Sequence, residues 1–243
     1  KLVGVMLVER TEIEEKMTLV QYDPFDQEKI AVNEQIILEY YRSEGYPGVR
    51  VKSRVEAVES SLESEGKKFR VVFEMEEKPR VYLSDIYISG TKFYSELDIK
   101  RFILSSEIDC VAWANQSGLF REEMINQDLS LITQHYLKNG FIKVFIEKPD
   151  VTLIHNPDYS RVDVRLNITE GDQYYSGKIS VSGDILGEKE KLMEGLLLEE
   201  GEIYNPFLQN RDRSGISEIY HERGYAFVRV VPETKIHKET KTV

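Results

Sequence analysis

One motif constrains the fold of this chain more than any other feature: a tyrosine, a glycine four residues later and then an aromatic residue. The three copies lie at residues 41–46, 136–141 and 220–225. Their glycines are roughly ninety residues apart, a spacing typical of tandem repeats. A second block begins at Glu77 and again at Glu170, and reaches a glycine at the same distance both times. A unit of about ninety residues is therefore repeated three times.

The repeat predicts three domains, at residues 1–78, 79–171 and 172–243, each near the lower size limit for an independent core. A hydrophobic content of 41% and an aromatic content of 10% are typical of folded chains. We expect the first and last domains to be truncated at the chain ends. Too few residues precede Gly4 for a full first strand, and too few follow Gly224 for a complete last strand.

The second repeat is the most complete, and its pattern predicts the order β-α-α-β-β. The elements are a strand over 81–89, helices over 93–105 and 120–138, and strands over 142–154 and 161–169. The second helix has one apolar stripe, formed by Ile125, Leu129, Ile132 and Tyr136. Gly140 is expected to end that helix in the left-handed conformation, and a turn is expected at 156–158.

The flanking repeats have the same order of elements. Asp23-Pro24 and Asn205-Pro206 each offer an N-cap followed by a proline at the first helical position. In the first repeat the strand pair is predicted at 49–58 and 69–76. In the third repeat a strand is predicted at 226–230. The repeated tyrosines are expected to face the core.

The tandem β-α-α-β-β order resembles that of the POTRA domains of bacterial outer-membrane assembly proteins, chiefly the BamA type. The resemblance extends over all three units and rests on Asp-Pro-Phe at 23–25, on the segment 41–49 and on the closing segment 73–79. It implies an α+β fold in which each domain has a three-stranded mixed sheet with two helices on one face. It also implies a periplasmic arm, attached to the outer membrane through a C-terminal β-barrel that is absent from this chain.

The resemblance implies that the third strand is central, which leaves the first and second strands as edges. An edge strand can accept an extended peptide through its main-chain hydrogen-bonding groups. The predicted peptide-binding or partner-binding residues are those of the second strands: Val49, Arg50 and Val51; Ile142, Lys143, Val144 and Phe145; and Phe227, Val228 and Arg229. Arg50, Lys143 and Arg229 are expected to guard these edges, and the alternative is that the edges are only protected or unused.

Several other functions have little support in the sequence. The net charge of −11 disfavours binding to nucleic acid and to anionic lipid. Four scattered histidines and the single Cys110 match no metal-binding or nucleophile pattern, and no phosphate-binding loop occurs. We therefore predict no catalytic residue, no cofactor and no metal.

By resemblance, the expected partners are unfolded outer-membrane proteins and the accessory lipoproteins of the assembly complex. The expected function is to bind these proteins for β-barrel assembly by strand addition. The alternatives are a polypeptide-transport arm of a related translocation or secretion channel, and an envelope or division scaffold. Between the domains, Pro79 predicts a stiff first linker, whereas Gly171 predicts a more hinged second one.

Overall fold

The structure is a computed structural model, and it describes residues 1–58, 68–108, 118–155, 160–185 and 189–243. The predicted turn at 156–158 and Cys110 lie outside these residues. The chain divides into two compact units. One comprises 1–87, 104–127 and 150–165, and the other comprises 88–103, 128–149 and 166–243. The second repeat therefore contributes to both units, and the predicted domain boundaries stay predictions.

The first repeat forms a three-stranded sheet with two helices. Its elements are β1 (Leu2–Val3), α1 (Arg10–Lys16), α2 (Gln27–Ser43), β2 (Arg50–Val58) and β3 (Lys68–Glu76). The sheet order is β1-β3-β2, so the third strand is central, as expected. Strand β3 runs parallel to β1 and antiparallel to β2, with Arg50 opposite Glu76 and Val58 opposite Lys68.

The core of this repeat lies between the sheet and both helices. Ile13 of α1, Ile37 and Tyr41 of α2 and Phe73 of β3 are all fully buried and belong to one cluster. Met75 joins the same cluster, because residues two apart on a strand share one face of the sheet. Both helices therefore cover the face that carries Phe73 and Met75.

The start of α2 corrects the predicted N-cap at Asp23. Asp26 is the N-cap instead, and its carboxylate accepts hydrogen bonds from the N–H groups of Glu28 and Lys29 at 2.9 and 3.3 Å. Asp23 accepts a hydrogen bond from the Val20 N–H at 3.0 Å, which uses its side chain in the preceding turn. In the third repeat Asn205 is the N-cap, as predicted.

The second repeat has a longer sheet. Its elements are β4 (Val81–Ser89), α3 (Glu96–Phe102), α4 (Glu122–Lys138), β5 (Phe145–Ile146), β6 (Asp150–His155) and β7 (Ser160–Thr169). Strand β7 is central, with β4 on one side and both β5 and β6 on the other.

The strand predicted to run without a break from 142 to 154 is interrupted. Residues 147–149 lie opposite only Asn167 and Leu166 of β7, since Ile146 pairs with Ile168 and Asp150 with Arg165. Three residues on one strand thus face two on the other, which is a β-bulge, and Pro149 lies in it. A proline has no N–H for the ladder, so it is tolerated on an edge strand at such an interruption.

The third repeat contains α5 (Lys189–Glu194) and α6 (Pro206–Glu222). Tyr175 pairs in parallel with Thr242, as the first and third strands of the first repeat do. The strand predicted at 226–230 is wrong, because these residues carry no regular secondary structure. A strand needs a hydrogen-bonded neighbour, whereas the chain beyond them turns back on itself through an antiparallel bridge between His237 and Thr242.

Candidate peptide-binding edges and domain junctions

Strand β2 is an edge of the first sheet, and its outward backbone groups can be assigned. The Phe73 N–H of β3 donates to the Lys1 carbonyl at 2.9 Å, so the odd-numbered residues of β3 face β1. Its even-numbered residues, among them Glu76 opposite Arg50, therefore face β2. Since successive residues alternate in direction, Val51 and Ser53 direct their N–H and C=O groups away from the sheet.

The three residues predicted as the first binding edge differ in position. Val51 lies on the outer edge of β2, and Arg50 directs its backbone inward to β3. Val49 precedes the strand, is buried in the core and donates its N–H to the Tyr46 carbonyl at 3.4 Å. Only Val51 of this set therefore offers main-chain groups to an incoming strand.

Charged side chains line β2 and its neighbour. Arg54 lies 3.2 Å from both Glu56 and Glu74, and Arg50 lies 3.9 Å from Glu76. These pairs are exposed, so each contributes only about 0–1 kcal/mol to stability. Charge on an edge strand nevertheless disfavours pairing with an apolar strand.

The predicted second edge begins too early in the chain. Ile142, Lys143 and Val144 lie in a turn before β5, so placing them on an edge strand is wrong, and only Phe145 is in a strand. The turn forms because main-chain hydrogen bonds link Ile142 to Gly140 and Val144 to Phe141. Lys143 does not guard a strand edge, since its ammonium donates to the Tyr174 hydroxyl at 2.8 Å.

Strand β6 is the most apolar edge in the described part of the second repeat. Val151, Leu153 and Ile154 are 42%, 48% and 44% exposed, and residues 151–154 carry no charge. The Asn167 carbonyl accepts from the Glu147 N–H at 3.0 Å, so the odd-numbered residues of β7 face β5 and β6. The β6 residues that lie opposite odd-numbered residues of β7 therefore direct their N–H and C=O groups toward β7. Val151 and Leu153 lie opposite even-numbered residues and direct these groups away from the sheet.

The other edge of the second sheet is occupied. Leu83 of β4 donates its N–H to the Gly118 carbonyl at 2.7 Å and accepts from the Ile108 N–H at 2.8 Å. The Phe120 N–H donates to the Val81 carbonyl at 2.9 Å. The expectation that a first strand would be a free edge is therefore wrong for this stretch of β4. The outer edge of β6 is the better candidate.

The third predicted set lies on no strand. Phe227 is fully exposed, and Val228 and Arg229 line an open cleft against α6 with Arg213 and His221.

Within the described ranges, no group of three or more His, Cys, Asp or Glu side chains is placed to hold a metal ion. In the same part of the chain, no helix is both long and apolar enough to cross a membrane.

In each of the first two repeats, the second helix is followed by a glycine whose carbonyl accepts a hydrogen bond from the next repeat. The Gly45 carbonyl accepts from the Val81 N–H at 3.0 Å, and the Gly140 carbonyl accepts from the Tyr174 N–H at 2.9 Å. Gly140 has a φ of 82°, and a Cβ there would lie 2.5 Å from the Tyr174 carbonyl oxygen. Glycine is therefore required at this position for both conformation and space.

The repeated tyrosines bind the repeated glutamates. Tyr136 is fully buried, and its hydroxyl donates to the Glu170 carboxylate at 2.7 Å. The same carboxylate accepts from the N–H groups of Lys92 and Phe93, both at 2.9 Å, just after the first strand. In the first repeat, the Tyr41 hydroxyl donates to the Glu77 carboxylate at 2.5 Å. This carboxylate also accepts from the N–H groups of Met6 and Leu7, a few residues after β1. The predicted core position is confirmed for Tyr41 and Tyr136, whereas Tyr220 is only partly buried.

Opposing influences set the pKa of Glu170. Burial is the largest single influence and raises it, but the hydrogen bonds from Lys92, Phe93 and Tyr136 together outweigh burial. The pKa of Glu170 therefore lies below its ordinary value. Burial, followed by the hydrogen bond to the carboxylate, raises the pKa of Tyr136 far above the usual tyrosine range. The pair therefore holds a neutral phenol against a carboxylate anion at neutral pH.

A third repeated device was not predicted. Asn33 and Asp212 both lie eight residues before a repeated tyrosine. Asn33 accepts from the Thr18 N–H at 2.9 Å, and Asp212 accepts from the N–H groups of Leu197 and Leu198 at 2.7 and 3.0 Å. Each thus holds the loop between the two helices of its repeat. The signal was an Asn or Asp at a constant distance from each tyrosine, with Asp128 as the third copy.

The chain belongs to the POTRA family, also described as the surface antigen variable number repeat. The family model matches three times, at residues 1–78, 81–171 and 174–243. These matches span nearly the whole chain and follow the three repeats.

Two curated relatives are similar to this chain over most of its length. The outer membrane protein assembly factor BamA of Nitratidesulfovibrio vulgaris is 26% identical over 220 residues, which is 88% of this chain and 26% of that protein. BamA of Neisseria meningitidis is 26% identical over 162 residues, which is 66% of this chain and 20% of that protein. The chain thus spans about a quarter of the length of the curated relatives it matches.

A solved structure has the same fold. The crystal structure of Haemophilus influenzae BamA POTRA3-5 matches with a TM-score of 0.54 at 16% identity. The match covers 99% of this chain and 91% of that one. At this identity the likeness shows the fold alone.

Proposed function

We propose that this chain is part of a periplasmic arm that binds unfolded outer-membrane proteins, and accessory proteins, during β-barrel assembly. Binding takes place by strand addition at exposed sheet edges. Membership of the POTRA family and relatives named as outer membrane protein assembly factors support this proposal. In this account the full-length protein continues into an outer-membrane barrel, and the arm acts without catalysis.

One observation carries the proposal: strand β6 is apolar and, among the described strands, pairs only with β7. Its outer edge therefore pairs with none of the described strands. Val151 and Leu153 direct both their N–H and their C=O groups outward. An extended peptide can bond to these groups whatever its sequence, as an unfolded barrel protein requires. Residues 151 and 153 share one face of the sheet and 152 and 154 the other, so an incoming strand can bury apolar side chains on both faces.

Weak binding follows from the number of groups involved. Each main-chain hydrogen bond contributes roughly 0.5–1.5 kcal/mol net, and ordering the peptide backbone costs roughly 1–2 kcal/mol per residue. Two outward residues therefore support a contact that forms and breaks readily. This is the behaviour needed of a surface that must pass its clients onward.

A titration tests the proposal. The probe is a ten-residue peptide of alternating valine and threonine, with a lysine at each end and both termini blocked. We expect it to shift the amide resonances of Val151 and Leu153 in the ¹⁵N-labelled chain. Shifts confined to helix residues would refute strand addition at β6.

A matched pair of variants separates main-chain from side-chain binding. Leu153→Pro removes an outward N–H but leaves the bonds between β6 and β7, whereas Leu153→Ala keeps the N–H and shortens the side chain. We expect the proline variant to lose most of the peptide binding and the alanine variant to retain more of it. The opposite ranking would mean that the side chain, not the backbone, binds the peptide.

A further inference from the structure

The outer edge of β2 is closed from within its own repeat. The carboxylate of Glu34, on α2, accepts a hydrogen bond from the Ser53 N–H at 2.6 Å. Ser53 directs this N–H outward, to the place where the carbonyl of an added strand would bind. An incoming strand must displace Glu34 before it can pair with β2 at this position.

The equivalent position in the second repeat has a different residue. Glu34 lies seven residues before Tyr41, and Leu129 lies seven residues before Tyr136. Ser53 likewise lies eight residues after Gly45, and its counterpart eight residues after Gly140 is Lys148.

Lys148 lies in the bulge between β5 and β6, opposite the same part of β7 as its neighbours. The residue before it, Glu147, donates its N–H inward to the Asn167 carbonyl. A leucine side chain offers no hydrogen-bond acceptor. Among the residues that the structure describes, none accepts from the Lys148 N–H.

We propose that the residue at this helix position determines which repeat accepts an added strand. Glu34 closes the edge of the first repeat, and Leu129 leaves the backbone at Lys148 open. The inference rests on the proposed function and adds a specificity-determining residue to it. Because the hydrogen bond to Glu34 is charge-assisted, it is harder to displace than one to a neutral acceptor.

Exchanging the two residues tests the inference with the blocked valine–threonine peptide. In the unaltered chain, we expect the peptide to shift the amide resonance of Lys148 and to leave that of Ser53 unchanged. Glu34→Leu should bring the Ser53 amide into the binding surface. The affinity of that edge should rise about tenfold, because the peptide no longer has to displace a charge-assisted hydrogen bond. Leu129→Glu should weaken binding at Lys148 by a similar factor.

Two further variants separate the hydrogen bond from the charge. Glu34→Gln keeps an acceptor for the Ser53 N–H and should leave the edge largely closed. Glu39→Leu removes a negative charge from an exposed position on the same helix and should change nothing at Ser53. If Glu39→Leu opens the edge as well as Glu34→Leu does, net charge is the cause and the inference is wrong.

Hydrogen exchange gives a readout that does not depend on the peptide. Glu34→Leu should speed exchange of the Ser53 amide, and Glu34→Gln should speed it less. If exchange speeds up and the peptide binds at Lys148 but still not at Ser53, the specificity role of Glu34 is refuted and strand addition stands. If the peptide binds at neither edge in any variant, strand addition and this inference are both refuted.

Discussion

Replacing Gly140 by alanine, and comparing it with the same change at Gly224, should separate two costs. One is the clash with the neighbouring Tyr174 backbone, and the other is the ordinary cost of a left-handed residue. Gly140 and Gly224 end equivalent helices, with φ of 82° and 91°. An alanine at either position costs roughly 1–2 kcal/mol for the backbone conformation alone. At Gly224 nothing lies within 4 Å of the added Cβ, so the cost should stop there.

At Gly140 the cost should be larger. The added Cβ would lie 2.5 Å from the Tyr174 carbonyl oxygen and 3.1 Å from Ile203, so the segment at Tyr174 must move. Relieving a clash of this kind typically costs about 1–3 kcal/mol, and the movement also strains the bond from the Tyr174 N–H to Gly140. We therefore expect a total loss of roughly 2–5 kcal/mol for Gly140→Ala.

Residue-resolved hydrogen exchange is the suitable assay, because a chain with several domains need not unfold in one step. The Tyr174 amide should lose its protection in Gly140→Ala and keep it in Gly224→Ala. Equal losses of stability in the two variants, with Tyr174 still protected, would show that Gly140 serves only the backbone conformation.

Three other predictions follow from polar contacts within the repeats. Tyr136→Phe should lower the free energy of unfolding of its repeat, read from residue-resolved hydrogen exchange, by about 1.5–3 kcal/mol, because it removes a hydrogen bond to a carboxylate. Tyr46→Phe loses only a 3.3 Å bond to a carbonyl and should cost about 1 kcal/mol or less. Glu170 has a lowered pKa, so its stabilising effect is complete above the ordinary glutamate pKa of 4.5 and is lost as the pH falls through the folded-state pKa. Glu170→Gln should flatten this acid dependence, and an unchanged dependence would contradict the assignment. Asp212→Ala should speed amide exchange at Leu197 and Leu198, and unaltered rates there would exclude the loop-holding role.

Local sequence signals predicted the regular elements well. Strand β4 spans Val81–Ser89 as expected, and α4 ends before Gly140 as the glycine indicated. Such features depend on residues close together in the chain. Periodicity, caps and glycines therefore carry enough information to place them.

The parts that were mispredicted depend on partners far along the chain. The strand expected at 226–230 has no hydrogen-bonded neighbour, and the break between β5 and β6 appears only when the register with β7 is known. The strand patterns at these places resemble those of strands that do form. Tertiary pairing decides the outcome, and local pattern alone does not contain it.

The residues expected on the outer edges of the sheets were placed only partly correctly. Val51 does lie on an outer edge, yet Ile142, Lys143 and Val144 lie in a turn. Two features could have redirected the prediction to β6: the uncharged run over 151–154 and the proline at position 149. No short-range signal marks Glu34 as a cap of β2, since it acts on Ser53 from a different element.

Strand addition at β6 is tested most directly by nuclear Overhauser effects between the chain and the bound peptide. Strand addition predicts cross-peaks from the amide protons of Val151 and Leu153 to backbone protons of the peptide, in the alternating pattern of a strand pair. Cross-peaks that join the peptide only to helix side chains, with none to these two amides, would contradict it.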